Sequence, residues 1–350
     1  MRIVGVFLPI LLLLALLPGG DAATTAQPDN AIGPDCRWPA AQAWTTTVEA
    51  NVVDGLTGLA IPGAHVSIPA LGVSAHTSSK GRSTVGPIPL PSSVYTATVV
   101  VAAPGYGDWT LQNVRLYGDN PLRLNARLGR VPVVVAVPPP RALTGEPHYD
   151  TQPVAGRAHS PKSDLYPPAT IRVGITGQTT CTVPPPIQYV EIVDFNFYAK
   201  HVLPSEWIGS WPAESLKAGA MAVKTYAWYW VNQGGKWPEY GADVVDSTCD
   251  QVYNPAYSYW KTDQAVDDTW GHRMVRDGTI QKWIVFPAYY YAGEYNGEPT
   301  DGNHMTQWGS KYWADQGQAW DWILHFYYSS IDVQEILYLL GLPLIMVGER

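Results

Sequence analysis

A carboxylate with the surroundings of a working acid stands at Glu206, inside Pro204-Ser205-Glu206-Trp207. An aromatic ring on one side and the start of a rigid helix on the other would hold the group still. A carboxyl held that way can donate a proton and then take one back. From these residues alone a plainer reading stays open, because a Glu near a helix start often caps a backbone group or faces water. His201, five residues earlier, could orient the acid or simply pack. The positioning element is the helix expected after Pro212, whose missing N–H costs nothing in a first turn, with Glu214 near the positive end of its dipole. Leu216, Ala220, Val223, Ala227 and Trp230 recur at spacings of four and three and so share one face, and Gly234-Gly235 supply the stop.

The run VLPSEWIGSWPAESLKAGAMAVKTYAW resembles the SpoIID/LytB (stage II sporulation protein D) family, in which a Pro-x-Glu-Met/Trp element precedes a helix reading like E-A-L-K-A-Q-A-V-A-A-R-T-Y-A. Two later stretches agree with it. Asp246 to Tyr253 resembles the family's D-x-T/S-x-x-Q-V-Y element, with Asp246, Gln251 and Tyr253 on the matching positions. Gly302 to Gly309 resembles H-G-x-G-M-S-Q-Y-G, with Met305, Gln307, Trp308 and Gly309 matching; the family's His falls on Asp301, while His304 stands where Gly is usual. The Ser/Gly-rich segment that normally precedes it is replaced by Tyr289 to Glu298, which adds Glu294 and Glu298.

The resemblance implies a lytic transglycosylase of peptidoglycan with Glu206 as catalytic acid and base. Substrate would be contacted by Trp207, Asp246, Gln251, Tyr253, His304 and Gln307. One Glu suffices if the 6-hydroxyl of an N-acetylmuramic acid unit attacks its own C1 and closes a 1,6-anhydro ring. Such an acid must start protonated, which a buried, aromatic-lined site favours. Read as residues only, the polar offsets of Asp246 to Tyr253 equally suit a turn stapled by Asp246. Two alternatives remain: an amidase enhancer that binds the wall without cutting it, and a hydrolytic glycosidase pairing Glu206 with a second carboxylate such as Asp246 or Glu294. The partners expected are peptidoglycan glycan strands and, in the enhancer case, a cell-wall amidase; no cofactor is expected.

At 350 residues there is room for about two domains. The net charge of −8 argues against nucleic acid as a partner. Residues 1–22 read as a secretory signal, with Arg2, an apolar run from Phe7 to Leu17 and small residues at Gly20-Asp21-Ala22. That run is short for a membrane span, so a secreted or wall-associated protein is expected, with an uncleaved anchor as the lesser alternative. Three cysteines allow one disulfide; Cys181 with Cys249 is the favoured pair, because both fall in or beside the C-terminal domain, leaving Cys36 free. No Cys/His set has zinc spacing, so no metal is expected.

The expected fold is multidomain, an N-terminal all-β sandwich followed by a C-terminal α+β SpoIID-like domain. Residues 46–130 hold short alternating strands at Thr46 to Val53, Ala64 to Ile68, Gly72 to Thr77, Ser92 to Val101 and Leu122 to Leu128, separated by Gly and Pro turns. This region resembles the carboxypeptidase regulatory-like (prealbumin-like) domain through VVDGLTGLAIPGAHVSI, SSKGRSTVG and YTATVVVAAPGY, which implies a spacer or binding module. Residues 131–169 are a Pro-rich linker in which Val133 to Val137 could add a strand. Residues 170–332 form the SpoIID/LytB-like domain, and 333–350 a tail whose apolar part, Val333 to Met346, reads as a docking helix. Within the domain, strands are expected at Thr170 to Ile175, Ile187 to Phe195, and Arg273 to Arg276 with Gln281 to Tyr291 around an Asp277-Gly278 turn. Phe197 to Leu203 should be a short helix leading to Glu206 on a loop.

Overall fold

The computed structural model describes residues 43–138, 165–276 and 285–336. The expected signal at 1–22, Cys36, the Asp277-Gly278 turn and most of the linker and tail lie outside the described residues. No helix among the described residues is long and apolar enough to cross a membrane.

The first region is built from β1 (Trp44–Asp54), β2 (His65–Ile68), β3 (Val73–His76), β4 (Arg82–Leu90), β5 (Val94–Ala102), β6 (Trp109–Tyr117), β7 (Leu122–Leu128) and β8 (Val133–Ala136). Alternating burial along β1, β2, β5 and β7 follows the period-two pattern of their sequences. Two strands escape that pattern. β4 carries Gly86, Pro87 and Pro89, which break the run. β6 carries a bulge: Ala97 pairs with Val114 but Val99 with Leu111, and Asn113 takes a positive φ of 60°. Two sheets result, and residues of both, such as Val48, Val85 and Leu124 against Val66, Val99 and Leu111, pack in one apolar core.

The second region holds β9 (Thr170–Ile175), β10 (Tyr189–Asp194), α1 (Phe195–Glu206), α2 (Ala213–Asn232), β11 (Val244–Val245), β12 (Tyr257–Tyr259) and α3 (Trp260–Trp270). It continues with β13 (His272–Arg276), β14 (Tyr289–Tyr291), β15 (His304–Thr306), α4 (Gln307–Asp315), α5 (Trp320–Tyr327) and β16 (Ile331–Glu335). Its core gathers around α2. Fourteen of that helix's 20 residues are buried, so it is enclosed on most sides and not only on the face that the spacing suggested. Lys224 is part of this enclosure: its Nζ donates to the carbonyls of Thr269 (2.7 Å) and His272 (2.6 Å), and burial pulls its pKa from 10.5 to about 7. β13 pairs antiparallel with β16, and the turn and residues 281–284 of the expected hairpin lie outside the described residues. Val333 to Glu335 therefore belong to a strand and not to a docking helix, because β13 offers them a ladder that a helix could not use.

β12 belongs by sequence to the second region but pairs antiparallel with β7 of the first, Tyr257 to Leu124 and Tyr259 to Leu122. Tyr257 and Tyr259 are buried in the sandwich core. Around this strand, Asn120 Nδ2 donates to the Gly209 carbonyl (2.9 Å) and its Oδ1 accepts the Lys261 N–H (3.0 Å). Arg123 pairs with buried Asp263 at 2.7 Å. The two cores are distinct, yet they share a sheet. An engineered protease site within residues 139–164 should accordingly give two fragments that co-elute on native size exclusion and separate only in denaturant. Separation under native conditions would show that the β7–β12 ladder does not hold the regions together.

Candidate functional site

Helix α1 starts at Asp194, whose Oδ1 accepts the Phe197 N–H (2.8 Å), and its last residue is Glu206. The expected loop is thus a helix end, and helical hydrogen bonding up to Trp207 N–H on Leu203 O (2.7 Å) fixes the acid's backbone. Glu206 is 7% exposed. Its Oε1 accepts the backbone N–H of Val252 (2.8 Å) and its Oε2 accepts the Gln307 amide Nε2–H (3.2 Å). Gln307 stands at the first position of α4, so all three sequence elements meet at this carboxylate.

A narrow cleft opens on it. Trp207, Trp211 and Trp308 provide aromatic walls, and the opposite side comes from the sandwich: Arg115 on β6, and Val137 and Pro138 just past β8. Among the described residues lining the cleft, Glu206 is the only carboxylate. The free space has room for about one water molecule. Trp207 is itself locked. Its Nε1 donates to Ser310 Oγ (3.1 Å), and its indole lies flat on Gly219 of α2, where an added Cβ would sit 2.6 Å from ring atoms. Trp211 packs edge-on to Trp308 at 4.7 Å.

The other expected residues divide. Gln251 is fully buried, its Oε1 accepting from Tyr198 OH (2.9 Å) and its Nε2 donating to Tyr290 OH (3.0 Å), which leaves no exposed atom for a sugar. Asp246 binds the N–H (2.9 Å) and hydroxyl (2.6 Å) of Thr176, so it staples a turn; burial pushes its carboxyl up while these donors pull it back. Tyr253 stacks on Tyr198, and its buried hydroxyl has no hydrogen-bond partner among the described residues. Asp246 and Tyr253 line a separate groove between β8 and β10. His304 and Asp301, the two candidates for the family's His position, are a pair: Asp301 meets His304 Nδ1 at 2.8 Å. Glu294 and Glu298 are exposed. His201 is buried, its Nδ1–H donating to Phe197 O (2.8 Å), so Nε2 accepts from Asn125 Nδ2 of β7 (3.0 Å). It therefore serves the junction between the regions and not the acid.

Sequence reasoning missed three contributors. The Val252 contact is a backbone N–H, which no side-chain motif encodes. Asp250 carries the loop: it accepts from Tyr226 OH (2.7 Å), Lys236 Nζ (2.8 Å), Trp237 Nε1 (2.7 Å) and Val245 N–H (2.8 Å). Its position inside the D-x-T/S-x-x-Q-V-Y element was the available signal. Arg115 lies 91 residues before Glu206 and is brought there by the β7–β12 pairing and the contacts around it. A disulfide joins Cys181 to Cys249, closing a separation of 68 residues and pinning this loop to the β9–β10 connection; a loop of that size stabilises by about 4 kcal/mol in the chain-entropy account. Among the described residues no cluster of three or more His, Cys, Asp or Glu is placed to hold a metal ion.

Residues 186–275 match the family model described as SpoIID, Stage II sporulation protein. The C-terminal region carries a SpoIID domain. The match takes in Glu206, α2 and the Asp246 to Tyr253 loop, and ends before Gln307. An uncharacterized protein of Brachyspira hyodysenteriae (strain ATCC 49526 / WA1) is 45% identical over 82 residues, which span 23% of this chain and 22% of that protein. Two interface mutants of a type II cohesin–X-dockerin complex from Acetivibrio cellulolyticus show looser likeness. One is 20% identical with a TM-score of 0.19, the other 25% identical with 0.18, and each covers 25% of this chain and 56% of its own. Overlaps of that kind say nothing further about this SpoIID domain.

The locked indole predicts that Gly219→Ala, harmless in most helices, destabilises this protein by about 1–3 kcal/mol through overpacking, read by denaturant unfolding. Unchanged stability would mean that Trp207 is free to move aside. Burial lowers the His201 pKa from 6.5 to about 4. The unfolded chain therefore binds more protons than the folded one between those values, and stability present above pH 6.5 is lost as pH falls toward 4. His201 should contribute roughly 3 kcal/mol of that loss. His201→Gln should flatten the slope of unfolding free energy over that window, and an equal slope in both proteins would rule it out.

Proposed function

We propose that this protein acts on the glycan strands of the bacterial cell wall and cuts them by lytic transglycosylation, with Glu206 as the single acid and base. The observation that carries the reading is Glu206, the one carboxylate among the described residues lining the cleft, held on both oxygens by N–H donors from the two later motifs. The protonated carboxyl gives its proton to the bridging oxygen as the C1–O bond breaks. The carboxylate left behind then takes the proton of the 6-hydroxyl as that oxygen bonds to C1, closing the anhydro ring and regenerating the acid. A hydrolytic route would want a second carboxylate across the scissile bond; Asp246 is occupied with Thr176 and lines the other groove. The match to a stage II sporulation protein supports a wall-related role, the leading apolar segment supports export, and the β-sandwich is assigned as a spacer or binding module of the carboxypeptidase regulatory-like kind.

One observation favours a second reading. A cleft with room for about one water does not admit a sugar ring as it stands, which suits a non-catalytic wall-binding protein that stimulates an amidase.

Glu206→Gln should lower the release of 1,6-anhydro ends from purified glycan strands by at least about 10²–10⁴-fold. Glu214 is a poor control because its Oε2 accepts the Trp320 N–H (2.9 Å) at the start of α5, so the exposed Glu239→Gln is the better one and should cut like the parent. Equal cutting by the Glu206 variant removes it as the acid. A parent that never cuts but accelerates an amidase establishes the second reading.

A further inference from the structure

A groove of about 1150 Å³ opens between β8 and β10, each the outer strand of its sheet among the described strands. One wall is Val133 to Ala136 of the sandwich and the other is Tyr189 to Ile192 of the second region. The groove shares no lining residue with the Glu206 cleft, yet it borders the segment that fixes the acid, because Val252 lines it. Tyr253, the next residue, also lines it. This tyrosine is 5% exposed, and its buried hydroxyl has no hydrogen-bond partner among the described residues. Burial pushes the hydroxyl's pKa up, and the charges acting on it include Glu191 and Arg127, both on the groove lining. An O–H buried without a partner costs stability, so native structures seldom keep one without a use. Two amides beside it are half spent. Asn125 gives its Nδ2 to His201 and Asn254 accepts the Ala256 N–H on Oδ1 (3.1 Å), which leaves Asn125 Oδ1 and Asn254 Nδ2 uncommitted among the described contacts. At the rim the ring of Tyr189 is 57% exposed.

We propose that this groove is a second, non-catalytic binding site for an amino-sugar chain, with Tyr189 stacked on a pyranose face and Tyr253 hydrogen-bonded to the sugar. An N-acetylated sugar presents hydroxyls, an amide N–H, an amide carbonyl and an apolar ring face. The groove answers these with a phenol O–H, an amide acceptor, an amide donor and an exposed aromatic ring. Resting on the cell-wall-glycan reading, this adds a place that holds the strand away from the chemistry. The Glu206 cleft has room for about one water, whereas the groove has room for more than one sugar ring. A strand held there is presented to the cleft at raised effective concentration. Since both regions supply a wall, the sandwich is part of the site and not a spacer alone.

Binding and stability measured together test this. Full-length Glu206→Gln protein, used to prevent turnover, is titrated with soluble, peptide-free oligosaccharides of cell-wall glycan. Adding Tyr189→Ala should weaken binding about tenfold, while Tyr189→Phe, which keeps the ring, should bind like the parent. Adding Tyr253→Phe should weaken binding about fivefold or more and leave the melting temperature equal or higher, because no hydrogen bond within the described structure is lost. A melting temperature that falls with the affinity would assign that hydroxyl to folding and overturn its role. Unchanged affinity in either Tyr189→Ala or Tyr253→Phe overturns the proposal and leaves the glycan reading intact, since the sugar then sits elsewhere. Absence of oligosaccharide binding overturns it too, and the glycan reading is then judged separately by the anhydro ends that the parent releases. An extended valine-rich hexapeptide that binds where glycan does not, and is lost in Tyr189→Ala, would make the groove a strand acceptor and overturn the sugar. Tyr189 is exposed, so its two variants keep the test valid even where Tyr253→Phe folds poorly.

Discussion

The three-residue ladder between β7 and β12 is the contact on which the rest of this structure depends. Tyr257 and Tyr259 bury their rings in the sandwich core while the chain on either side belongs to the SpoIID domain. Five residues before Tyr257 stands Val252, whose N–H holds Glu206. Immediately after Tyr259 begins α3, which packs on α2. One short segment therefore fixes the acid, a wall of its cleft and the helix behind it. A ladder so short is weak by itself; the buried tyrosine rings and the Arg123–Asp263 and Asn120 contacts around it give it strength.

Two kinds of carboxylate lie side by side in this region. The side chains of Asp250 and Asp243 are buried and engaged, Asp243 with the Arg172 guanidinium and Asp250 with four donors. Both are structural, because removing any donor would leave a buried acceptor unsatisfied. Glu206 is also buried, its described donors include a backbone N–H and a side-chain amide, and aromatic faces line its cleft.

Much of this was legible in the chain. The Pro-Ser-Glu-Trp element, the long helix after it and the Gln307 motif pointed to the buried carboxylate of the cleft and one of its donors, because side-chain identity carries those contacts. The alternating strands of the sandwich were legible for the same reason. β4 and β6 were hidden, one by glycine and prolines and the other by a bulge that shifts the alternation by a residue. Gln251 matched its motif and yet serves the core, since a motif records which residue is needed and not whether it faces substrate. Arg115 could not have been found at all. Nothing local marks it, and its place follows from a pairing between strands more than 120 residues apart in sequence.

The same junction bears on how a polymer could reach Glu206. On the SpoIID side the cleft walls are core elements: Trp207 is wedged on Gly219 and tied to Ser310, and Gln307 opens α4. A shift there would disturb packing around α2, and close-packed interiors resist such shifts. The other wall is formed by Val137 and Pro138, which follow a strand that pairs with β6 among the described strands; the Val137 N–H on Gln112 O (2.9 Å) and the Arg115 contact to Pro138 hold them. Val137 is also buried in the sandwich core, so moving it aside would cost the burial of its side chain, about 1.5–3 kcal/mol, on top of about 1 kcal/mol for each hydrogen bond. Both walls are therefore anchored in a core, one in each region, and the β7–β12 ladder that joins those cores sets the width between them.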